Sequence, residues 1–515
     1  WPLCHLRPDL TRMRGRYWER YRRVNRRFAE AVLEEARGDD AAVWFQDYHL
    51  ALAPALVRSR RPDLALAHFW HIPWPPLEIF EVTPQGRDLI GGLLANDLLG
   101  FQLGSHRAHF LRCAQELLNA EIDWSASTAR LEGHTCHVRS FPISIDVEAF
   151  TRAAGDATEG VARLRERYRP ENGQLGIGVD RMDYSKGLPE KLKALDFLWE
   201  RYPEYRGRFT FVQVGVPSRT DIEAYDELTQ KVERLVWEIN DRYGTDEWQP
   251  VHLIKQSLPA ERLAALYRAA DVCVVASLRD GMNLVAKEFV ASQVDRGGVL
   301  LLSKFAGAFE ELEQALEINP YDPEDFARVL RDALAMPAAE RRERLEAMQD
   351  SLRTIYDWMA ETFECWADAT DGGAHAQRGK EPPPHHPGRD HARTGRAGPC
   401  RPRRDLPRTV RGPDPSWLRG PGGPAVPQLS AGVTLTAWVE PTGVPTGFHA
   451  DVVEQMSSLV TDDPAFAMGR ALAAYLHLMS TDARDLDTAR DHAAAMRDAP
   501  RNDRESAHVA AIDAW

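Results

Sequence analysis

Along residues 1–368, short apolar runs alternate with longer stretches whose apolar residues recur at helical spacing. Short runs rich in Val, Ile and Leu are typical of buried parallel strands, and the longer stretches are typical of amphipathic helices. The pattern predicts strands at 42–45, 64–70, 98–102, 137–144, 175–179, 209–215, 251–254, 272–276 and 298–303. It predicts helices at 10–37, 150–170, 221–242, 260–269, 284–290, 308–316 and 323–368. Because the alternation continues on both sides of residue 150, we expect an α/β protein with two facing parallel-sheet domains, 1–150 and 151–370.

Polar residues follow two neighbouring strands of the predicted N-terminal sheet. Residues 46–49, which include Asp47, come after the first strand, and residues 71–76, which begin with His71, come after the second. The prolines in 71–76 force the chain to leave the sheet at that point. The carboxyl ends of parallel strands form one edge of a sheet, so both segments are predicted to line a cleft. The alternative for a single Asp or His in such a loop is a cap or turn residue.

A charged loop follows the strand at 175–179 in the second half. Arg181 and Lys186 lie five residues apart in this loop, which ends at Gly187. A planar guanidinium beside a compact ammonium suits a diphosphate. The alternative is a solvated charge cluster in which these side chains pair with Asp180 and Asp183.

The segment 278–288 comes after the buried strand at 272–276. Gly281 permits a tight turn, and Asn283 is a good N-cap for a helix that starts at Leu284. A strand, a polar turn and a helix N-terminus together make an anion-binding device. Asp280 would face a ligand from the turn, and Glu288 would reach a sugar hydroxyl from the helix. The alternative is an ordinary loop followed by a capped helix.

Composition excludes several classes of protein. The chain has 515 residues, enough for two or three domains, and a net charge of −13, which argues against general nucleic-acid binding. Its six Cys are scattered without a CxxC pair, which fits a reducing cytoplasm better than a disulfide framework or a zinc site. No run spans a membrane, and no signal-peptide pattern opens the chain. The absence of GxGxxG and GxxxxGK[ST] motifs argues against dehydrogenases and P-loop proteins.

Five motifs in one order carry a family resemblance. They are Gln46-Asp47-Tyr48-His49, His71-Ile72-Pro73, the segments 179–187 and 278–288, and Asn319-Pro320-Tyr321-Asp322. With them, residues 1–368 resemble the trehalose-6-phosphate synthase family. That resemblance implies a GT-B fold, in which two Rossmann-like domains face each other, and a retaining glucosyltransferase activity.

The resemblance also implies which residues bind the donor, UDP-glucose. Arg181 and Lys186 match the pair that grips the donor diphosphate. Asp280 matches the carboxylate that holds the glucose hydroxyls, beside the backbone amides of Gly281, Met282, Asn283, Leu284 and Val285. Glu288 matches the glutamate that binds the ribose.

The resemblance assigns one further residue at the transferred glucose and three around the acceptor, glucose 6-phosphate. His71 matches the histidine near the transferred glucose, and Asp47 matches the aspartate at the acceptor sugar. Arg219 matches an arginine that binds the acceptor phosphate, and Trp1 an aromatic residue of the acceptor pocket. The family has further strand–loop–helix units before the equivalent of Trp1, so we expect a chain that is truncated at its N-terminus.

The reaction implied is transfer of glucose from UDP-glucose to glucose 6-phosphate with retention, which gives α,α-trehalose 6-phosphate. In this family the leaving phosphate takes the acceptor proton, and neither a metal nor another cofactor is implied. Three alternatives stay open: a glucosylglycerol-phosphate synthase, an inactive truncated transferase lobe that acts as a binding module, and an ADP- or GDP-glucose donor. A homo-oligomer is also left open.

The amino-acid composition of the chain changes near residue 371. Residues 372–430 contain no Ile, Phe, Tyr or Met and are rich in Pro, Gly and Arg. Such a composition predicts a disordered linker at 371–431. A basic interaction tail and an out-of-frame translation are the alternatives. Residues 432–515 regain a helical pattern, and 448–515 weakly resemble tetratricopeptide repeats, with an Ala-rich helical hairpin as the alternative.

Overall fold

The computed structural model of the chain describes residues 1–36, 41–217 and 223–378. Its first sheet has six strands: β1 (Ala42–Gln46), β2 (Ala65–Trp70), β3 (Leu98–Phe101), β4 (Glu121–Asp123), β5 (Thr128–Leu131) and β6 (His134–Ser140). Their order in the sheet is β1-β2-β3-β6-β5-β4. The first four strands in this order are parallel, whereas β5 and β4 are antiparallel additions at one edge. The sequence pattern did not predict β4 and β5.

The second sheet also has six strands: β7 (Gln174–Arg181), β8 (Phe209–Val216), β9 (Val251–Ile254), β10 (Val272–Val275), β11 (Val299–Ser303) and β12 (Leu316–Ile318). All six are parallel, in the order β12-β11-β10-β7-β8-β9. The chain therefore builds outward from β7 in one direction and then resumes beside β7 with β10. This is the strand order of a Rossmann domain, in which ligands bind outside the carboxyl ends of the strands where the order reverses.

Fourteen helices surround the sheets in the part of the chain that the structure describes. They are α1 (Gly15–Glu35), α2 (Ala53–Arg58), α3 (Leu77–Phe80), α4 (Gly86–Leu94), α5 (Gly104–Leu118), α6 (Val147–Asp156), α7 (Thr158–Tyr168), α8 (Leu188–Arg201), α9 (Glu223–Tyr243), α10 (Ala260–Ala269), α11 (Leu284–Ser292), α12 (Pro323–Ala335), α13 (Ala338–Ser351) and α14 (Ile355–Arg378). Short 3-10 helices lie at Pro8–Leu10, Tyr48–Leu50, Tyr184–Lys186, Pro203–Tyr205 and Gly307–Glu310.

Three of the helix predictions need correction. The region predicted as helical at 323–368 is divided into α12, α13 and α14. The helix predicted at 150–170 is divided between α6 and α7. The helix predicted at 308–316 is wrong, because the segment is a 3-10 turn that leads into β12. The backbone N–H of Ala308 donates to the carbonyl of Met282 at 2.7 Å, so a tertiary contact with another loop overrides the local helical pattern.

The start of α12 agrees with the predicted turn at 319–322. The N–H of Asp322 donates to the carbonyl of Asn319 at 3.0 Å, which closes the turn. The carboxylate of Asp322 then accepts a hydrogen bond from the N–H of Asp325 and caps the helix, and Pro323 occupies the first helical position.

The end of the described chain packs back onto the first sheet. The indole of Trp358 on α14 donates to the carbonyl of Phe141 at 3.1 Å, and its ring contacts Trp44 and Phe69. On the other side of the junction, the ammonium of Lys287 on α11 donates to the carbonyl of Ile143 at 2.7 Å. Buried apolar and polar contacts therefore join the two lobes, each formed by one sheet and its helices.

The predicted C-terminal segments lie mostly beyond the described residues. Helix α14 continues to Arg378, so the predicted start of the linker at 371 lies within this helix. The rest of that linker and the predicted helical segment 432–515 lie outside the described residues. None of the helices between residues 1 and 378 combines the length and the apolar character that a membrane span needs.

Candidate active site

The polar segments singled out in the sequence meet between the two lobes. The loops after β7 and β10 lie at the point where the strand order of the second sheet reverses, and they face the loops after β1 and β2. Gly281 marks a close approach of the two lobes, because a Cβ added there would lie 2.3 Å from the carbonyl oxygen of His71. Only glycine allows this contact between the lobes.

The loop after β7 is held by its own side chains. The carboxylate of Asp183 accepts hydrogen bonds from the N–H and the hydroxyl of Ser185, at 2.9 and 2.8 Å, and from the hydroxyl of Tyr225 at 3.0 Å. Burial raises the pKa of Asp183, but the charge of Arg181 and the Ser185 N–H lower it more, so the pKa lies below its usual range. Gly187 has a φ of +65° and packs on the carbonyl of Ala276, which closes the loop.

Asp280 and Lys186 form an ion pair at the centre of this region. The Nζ of Lys186 lies 2.6 Å from Oδ2 of Asp280, and both side chains are nearly buried. The same Oδ2 accepts hydrogen bonds from the hydroxyl of Ser277 at 3.1 Å and the amide of Asn283 at 3.0 Å. No donor among the described residues reaches Oδ1. Three donors thus fix the carboxylate by one oxygen and leave the other to accept a hydrogen bond from a ligand.

The charge of Asp280 follows from the same contacts. Burial raises its pKa, but the positive charge of Lys186 and the hydrogen bonds from Lys186 and Asn283 lower it further, so the net shift is downward. Asp280 is therefore a carboxylate at neutral pH. Lys186 is buried and paired with Asp280 rather than solvated, which contradicts the alternative of an exposed charge cluster.

Helix α11 begins as the sequence predicted. The side chain of Asn283 accepts a hydrogen bond from the N–H of Ala286 at 3.2 Å and caps the helix. The residues 281–285 form the turn and the first helical residues, where backbone N–H groups lack an intrahelical partner. Asn283 has a φ of +84°, a conformation that most side chains avoid. The side-chain amide of this strained residue donates to Oδ2 of Asp280, so the start of α11 lies beside Asp280.

Glu288 lies one turn into α11 and is fully buried. Its Oε2 accepts a hydrogen bond from the hydroxyl of Tyr267 at 2.9 Å. Burial raises the pKa of Glu288 to about 7, and the Tyr267 hydrogen bond only partly opposes that shift. Glu288 therefore changes its charge near neutral pH.

In the first lobe, Asp47 is buried in a strained conformation directly after β1. Its φ is +55°, and its Oδ1 accepts a hydrogen bond from the N–H of His71 at 3.2 Å. Burial raises the pKa of Asp47 to about 7, against the opposing effect of backbone N–H groups. Strain of this kind persists only where the surrounding structure enforces it, and it is common at functional sites.

His71 is held in one tautomer. Its Nε2 lies 2.7 Å from Oε1 of Gln46, and because an amide oxygen only accepts, Nε2 carries the proton. Burial lowers the pKa of His71 to about 3, so the ring is neutral and Nδ1 is an acceptor at neutral pH. Asp47 and His71 are thus connected to each other, and His71 touches the second lobe at Gly281.

Trp1 lies beside the donor loop and beside the Asp47 segment. The guanidinium of Arg181 stands 5.5 Å from the Trp1 ring centre, and the Tyr48 ring is 6.1 Å away. Arg219 lies outside the described residues. The remaining predicted residues fall into two groups, Lys186 with Asp280 and Asp47 with His71, and Glu288 is bound separately to Tyr267.

Sequence reasoning missed two residues in this region. His5 is buried, its Nδ1 lies 2.9 Å from the carbonyl of Trp1, and burial lowers its pKa to about 4, although the charges of Asp183 and Asp280 oppose that shift. Its segment has no regular pattern that would have drawn attention to it. Ser277, which donates to Asp280, lies two residues after the end of β10, so the rule for polar residues at strand ends would have found it.

Among residues 1–36, 41–217 and 223–378, no group of three or more His, Cys, Asp or Glu is placed to hold a metal ion. The donor groups on the loops after β7 and β10 are instead the cations Arg181 and Lys186 and the backbone amides at the start of α11. This arrangement offers positive charge to an anion and acceptors to hydroxyl groups.

Comparison with known proteins identifies the family of the chain. A family model described as Glycosyltransferase family 20 matches residues 1–367. The UDP-forming alpha,alpha-trehalose-phosphate synthase of Schizosaccharomyces pombe is 39% identical over 347 residues, which are 66% of this chain and 67% of that protein.

Two solved structures are similar over most of their length. The UDP-forming alpha,alpha-trehalose-phosphate synthase of Burkholderia xenovorans in complex with glucose-6-phosphate has a TM-score of 0.68 and 34% identity, and covers 71% of this chain and 81% of its own. An E. coli structure bound with UDP-2-fluoro glucose has a TM-score of 0.66 and 35% identity, and covers 72% and 82%. These likenesses confirm the GT-B fold of two Rossmann-like domains. The chain therefore belongs to glycosyltransferase family 20, as its resemblance to the trehalose-6-phosphate synthases predicted.

Proposed function

We propose that the chain transfers glucose from UDP-glucose to glucose 6-phosphate with retention and forms α,α-trehalose 6-phosphate. The observation that carries the proposal is the buried Lys186–Asp280 pair at the point where the strand order reverses, with Arg181 at the end of β7. The names of the relatives support it, since they are UDP-forming trehalose-phosphate synthases, and one solved relative holds glucose-6-phosphate.

On the donor side, Arg181 and Lys186 bind the diphosphate. Cleavage of the bond between glucose C1 and the phosphate oxygen develops negative charge on that oxygen, and fixed cations stabilise this charge more in the transition state than in the ground state. Oδ1 of Asp280 accepts a hydrogen bond from a glucose hydroxyl, and the amides of 281–285 donate to the same sugar. Glu288 binds the ribose hydroxyls.

On the acceptor side, Asp47 holds the acceptor sugar, and Trp1 and Arg219 bind glucose 6-phosphate. His71 is neutral and offers Nδ1 to a hydroxyl of the transferred glucose. Because Asp47 and His71 are bonded to each other, and His71 touches the donor turn, the sugar being transferred is held between the lobes.

The bond changes balance without a carboxylate nucleophile. The bond between C1 and the diphosphate oxygen breaks, and the anomeric hydroxyl of the acceptor forms a new bond to C1 on the same face. The departing phosphate oxygen takes the proton of that hydroxyl. Asp280 does not supply the base, since its Oδ2 already accepts three hydrogen bonds and its pKa lies below the usual range.

The test is an assay of UDP release and of the sugar phosphate product. We expect UDP and trehalose 6-phosphate with UDP-glucose and glucose 6-phosphate, and slower reaction with ADP- or GDP-glucose. Product with glycerol 3-phosphate as the preferred acceptor would instead indicate a glucosylglycerol-phosphate synthase. Tight UDP binding without turnover for any acceptor would indicate a binding module.

We further propose that the chain works in the cytoplasm and binds no nucleic acid. The net charge of −13 supports the second point. Cys4, Cys113, Cys136, Cys273 and Cys365 form no disulfide, which fits a reducing compartment. Light scattering after size-exclusion chromatography measures the mass in solution and tests the homo-oligomer that the sequence left open.

A further inference from the structure

A buried charged network lies directly behind the loop that carries Arg181 and Lys186. The Nζ of Lys191 on α8 lies 2.6 Å from Oδ2 of Asp180 on β7 and 3.1 Å from Oε1 of Gln213 on β8. The amide of Gln213 also donates to Oδ2 of Asp180 at 3.0 Å. The side chains of Lys191 and Asp180 are each only 1% exposed, so the network has no access to a ligand.

Asp180 and Lys191 lie on either side of the loop that carries Arg181 and Lys186. Asp180 stands one residue before Arg181, and Lys191 lies in the first turn of the helix that follows the loop. The backbone N–H of Lys191 donates to the carbonyl of Gly187 at 2.9 Å, so the side chain and the backbone of one residue hold both ends of the loop. The distance between the end of β7 and the start of α8 is therefore set by these bonds.

Gly178 gives the network its space. It lies beside Gln213 in the sheet, and a Cβ added at Gly178 would be 2.6 Å from both Lys191 Nζ and Gln213 Oε1. A strand interior is an unfavourable place for glycine, so its presence here marks a close approach of other groups.

Stability alone does not account for this pair. Removing two charges from water is costly, and replacing a buried ion pair by apolar residues of similar volume is often neutral or stabilising. What such a pair supplies is a fixed geometry, because its bonds tolerate little change in distance or angle.

The loop that the network brackets is coupled to the other half of the donor site. The carbonyl of Ser185 accepts a hydrogen bond from the N–H of Leu278 at 2.7 Å, and Lys186 pairs with Asp280. A shift of α8 relative to β7 would therefore move Lys186 away from Asp280 and change where both cations stand.

We propose that Asp180 and Lys191 are positioning residues for the diphosphate-binding cations Arg181 and Lys186. The inference rests on the proposed function for the nature of the ligand, a nucleoside diphosphate. It adds that the affinity for this ligand depends on two residues that never touch it.

The test uses the full chain with Asp180→Asn and Lys191→Met combined, so that both charges disappear and no buried charge is left unpaired. We expect UDP to bind at least about tenfold more weakly by calorimetry, while the melting temperature changes little. We also expect amide hydrogen exchange in residues 182–187 to become at least about fivefold faster. The matched control is Lys193→Met, an exposed lysine on the same helix, which should change neither quantity.

A double-mutant cycle shows whether Asp180 and Lys191 affect UDP binding through Lys186. In a Lys186→Ala background, the Asp180→Asn and Lys191→Met changes should weaken UDP binding less than they do in the parent, because one of the positioned cations is absent. Equal effects in both backgrounds would overturn the proposal. So would a lower melting temperature with unchanged UDP affinity and unchanged exchange, which is the result of a purely structural pair.

Two further experiments test the proposal if the double variant does not fold or if the parent does not bind UDP. If the double variant does not fold, Gly178→Ala displaces the ends of Lys191 and Gln213 and is measured in the same way. If the parent itself binds no UDP, the proposed function fails, and hydrogen exchange in 182–187 still decides whether the network positions the loop.

Discussion

Asp280→Asn separates recognition of the donor sugar from recognition of the diphosphate. In the parent, Oδ2 of Asp280 accepts hydrogen bonds from three donors, on Lys186, Ser277 and Asn283. The asparagine must turn its carbonyl oxygen toward those three donors, so its NH₂ group replaces Oδ1. A hydroxyl that donated to Oδ1 then meets a second donor instead of a carboxylate oxygen.

The size of the effect follows from the bond that is lost. A hydrogen bond to a charged group contributes about 1.5–3 kcal/mol, which corresponds to a fall in kcat/KM for UDP-glucose of about 10- to 150-fold. UDP lacks the glucose, so its dissociation constant should change by less than about threefold. Because the amide still accepts from Lys186, we expect the free energy of unfolding to fall by about 1–3 kcal/mol rather than by the larger cost of a fully unpaired buried charge.

The assay compares steady-state kinetics with UDP-glucose and calorimetry with UDP for the parent and the variant. Asp196→Asn is the matched control, since Asp196 pairs with Arg242 at the surface and lies away from the cleft. An unchanged kcat/KM with UDP-glucose would refute the role of Asp280. An equal loss of affinity for UDP and UDP-glucose would mean that Asp280 acts only through Lys186.

Three further changes test other parts of the site. Arg181→Ala should weaken UDP binding by about 1.5–3 kcal/mol. If calorimetry gives the variant and the parent equal affinities for UDP, Arg181 is not part of the donor site. Burial raises the pKa of Glu288 to about 7, so UDP affinity should rise several-fold as pH increases through about 7, when the carboxylate forms, and Glu288→Gln should remove that dependence. The same raised pKa makes the free energy of unfolding fall as pH rises from the usual glutamate range to about 7, because the folded state binds the proton more tightly. Gly281→Ala places a Cβ 2.3 Å from the His71 carbonyl, so it should lower kcat at least about tenfold and leave UDP affinity nearly unchanged; full turnover would refute the contact between the lobes.

The sequence predicted the parts of the fold that depend on local pattern. The buried strands β7, β8 and β10 are short apolar runs, and Asn283 caps α11 as its residue type indicates. The hairpin of β4 and β5 was missed because its strands are short, polar and at the edge of a sheet, so they carry no apolar run. The segment 308–316 has a helical pattern, yet its position is set by the loop at Met282, which local periodicity does not register.

The candidate site was predictable as a set of residues but not as a set of contacts. Polar residues at strand ends pointed to Asp47, His71, Lys186 and Asp280. The pairing of Lys186 with Asp280 joins residues that are 94 positions apart, and only the strand order of the second sheet brings them together. The pKa shifts of Asp47 and Glu288 likewise depend on burial by distant elements.

Two glycines show how a residue chosen from the sequence relates to a contact seen only in the structure. Gly281 was chosen from the sequence as a residue that permits a turn, and in the structure its missing Cβ admits the His71 carbonyl from the other lobe. Gly187 does the same within the second lobe, where it packs on the carbonyl of Ala276 and joins the two donor loops. In both places the absence of a side chain lets two loops touch through their backbones. The chemistry of the site therefore depends on side chains that the sequence reveals and on backbone contacts that only the fold reveals.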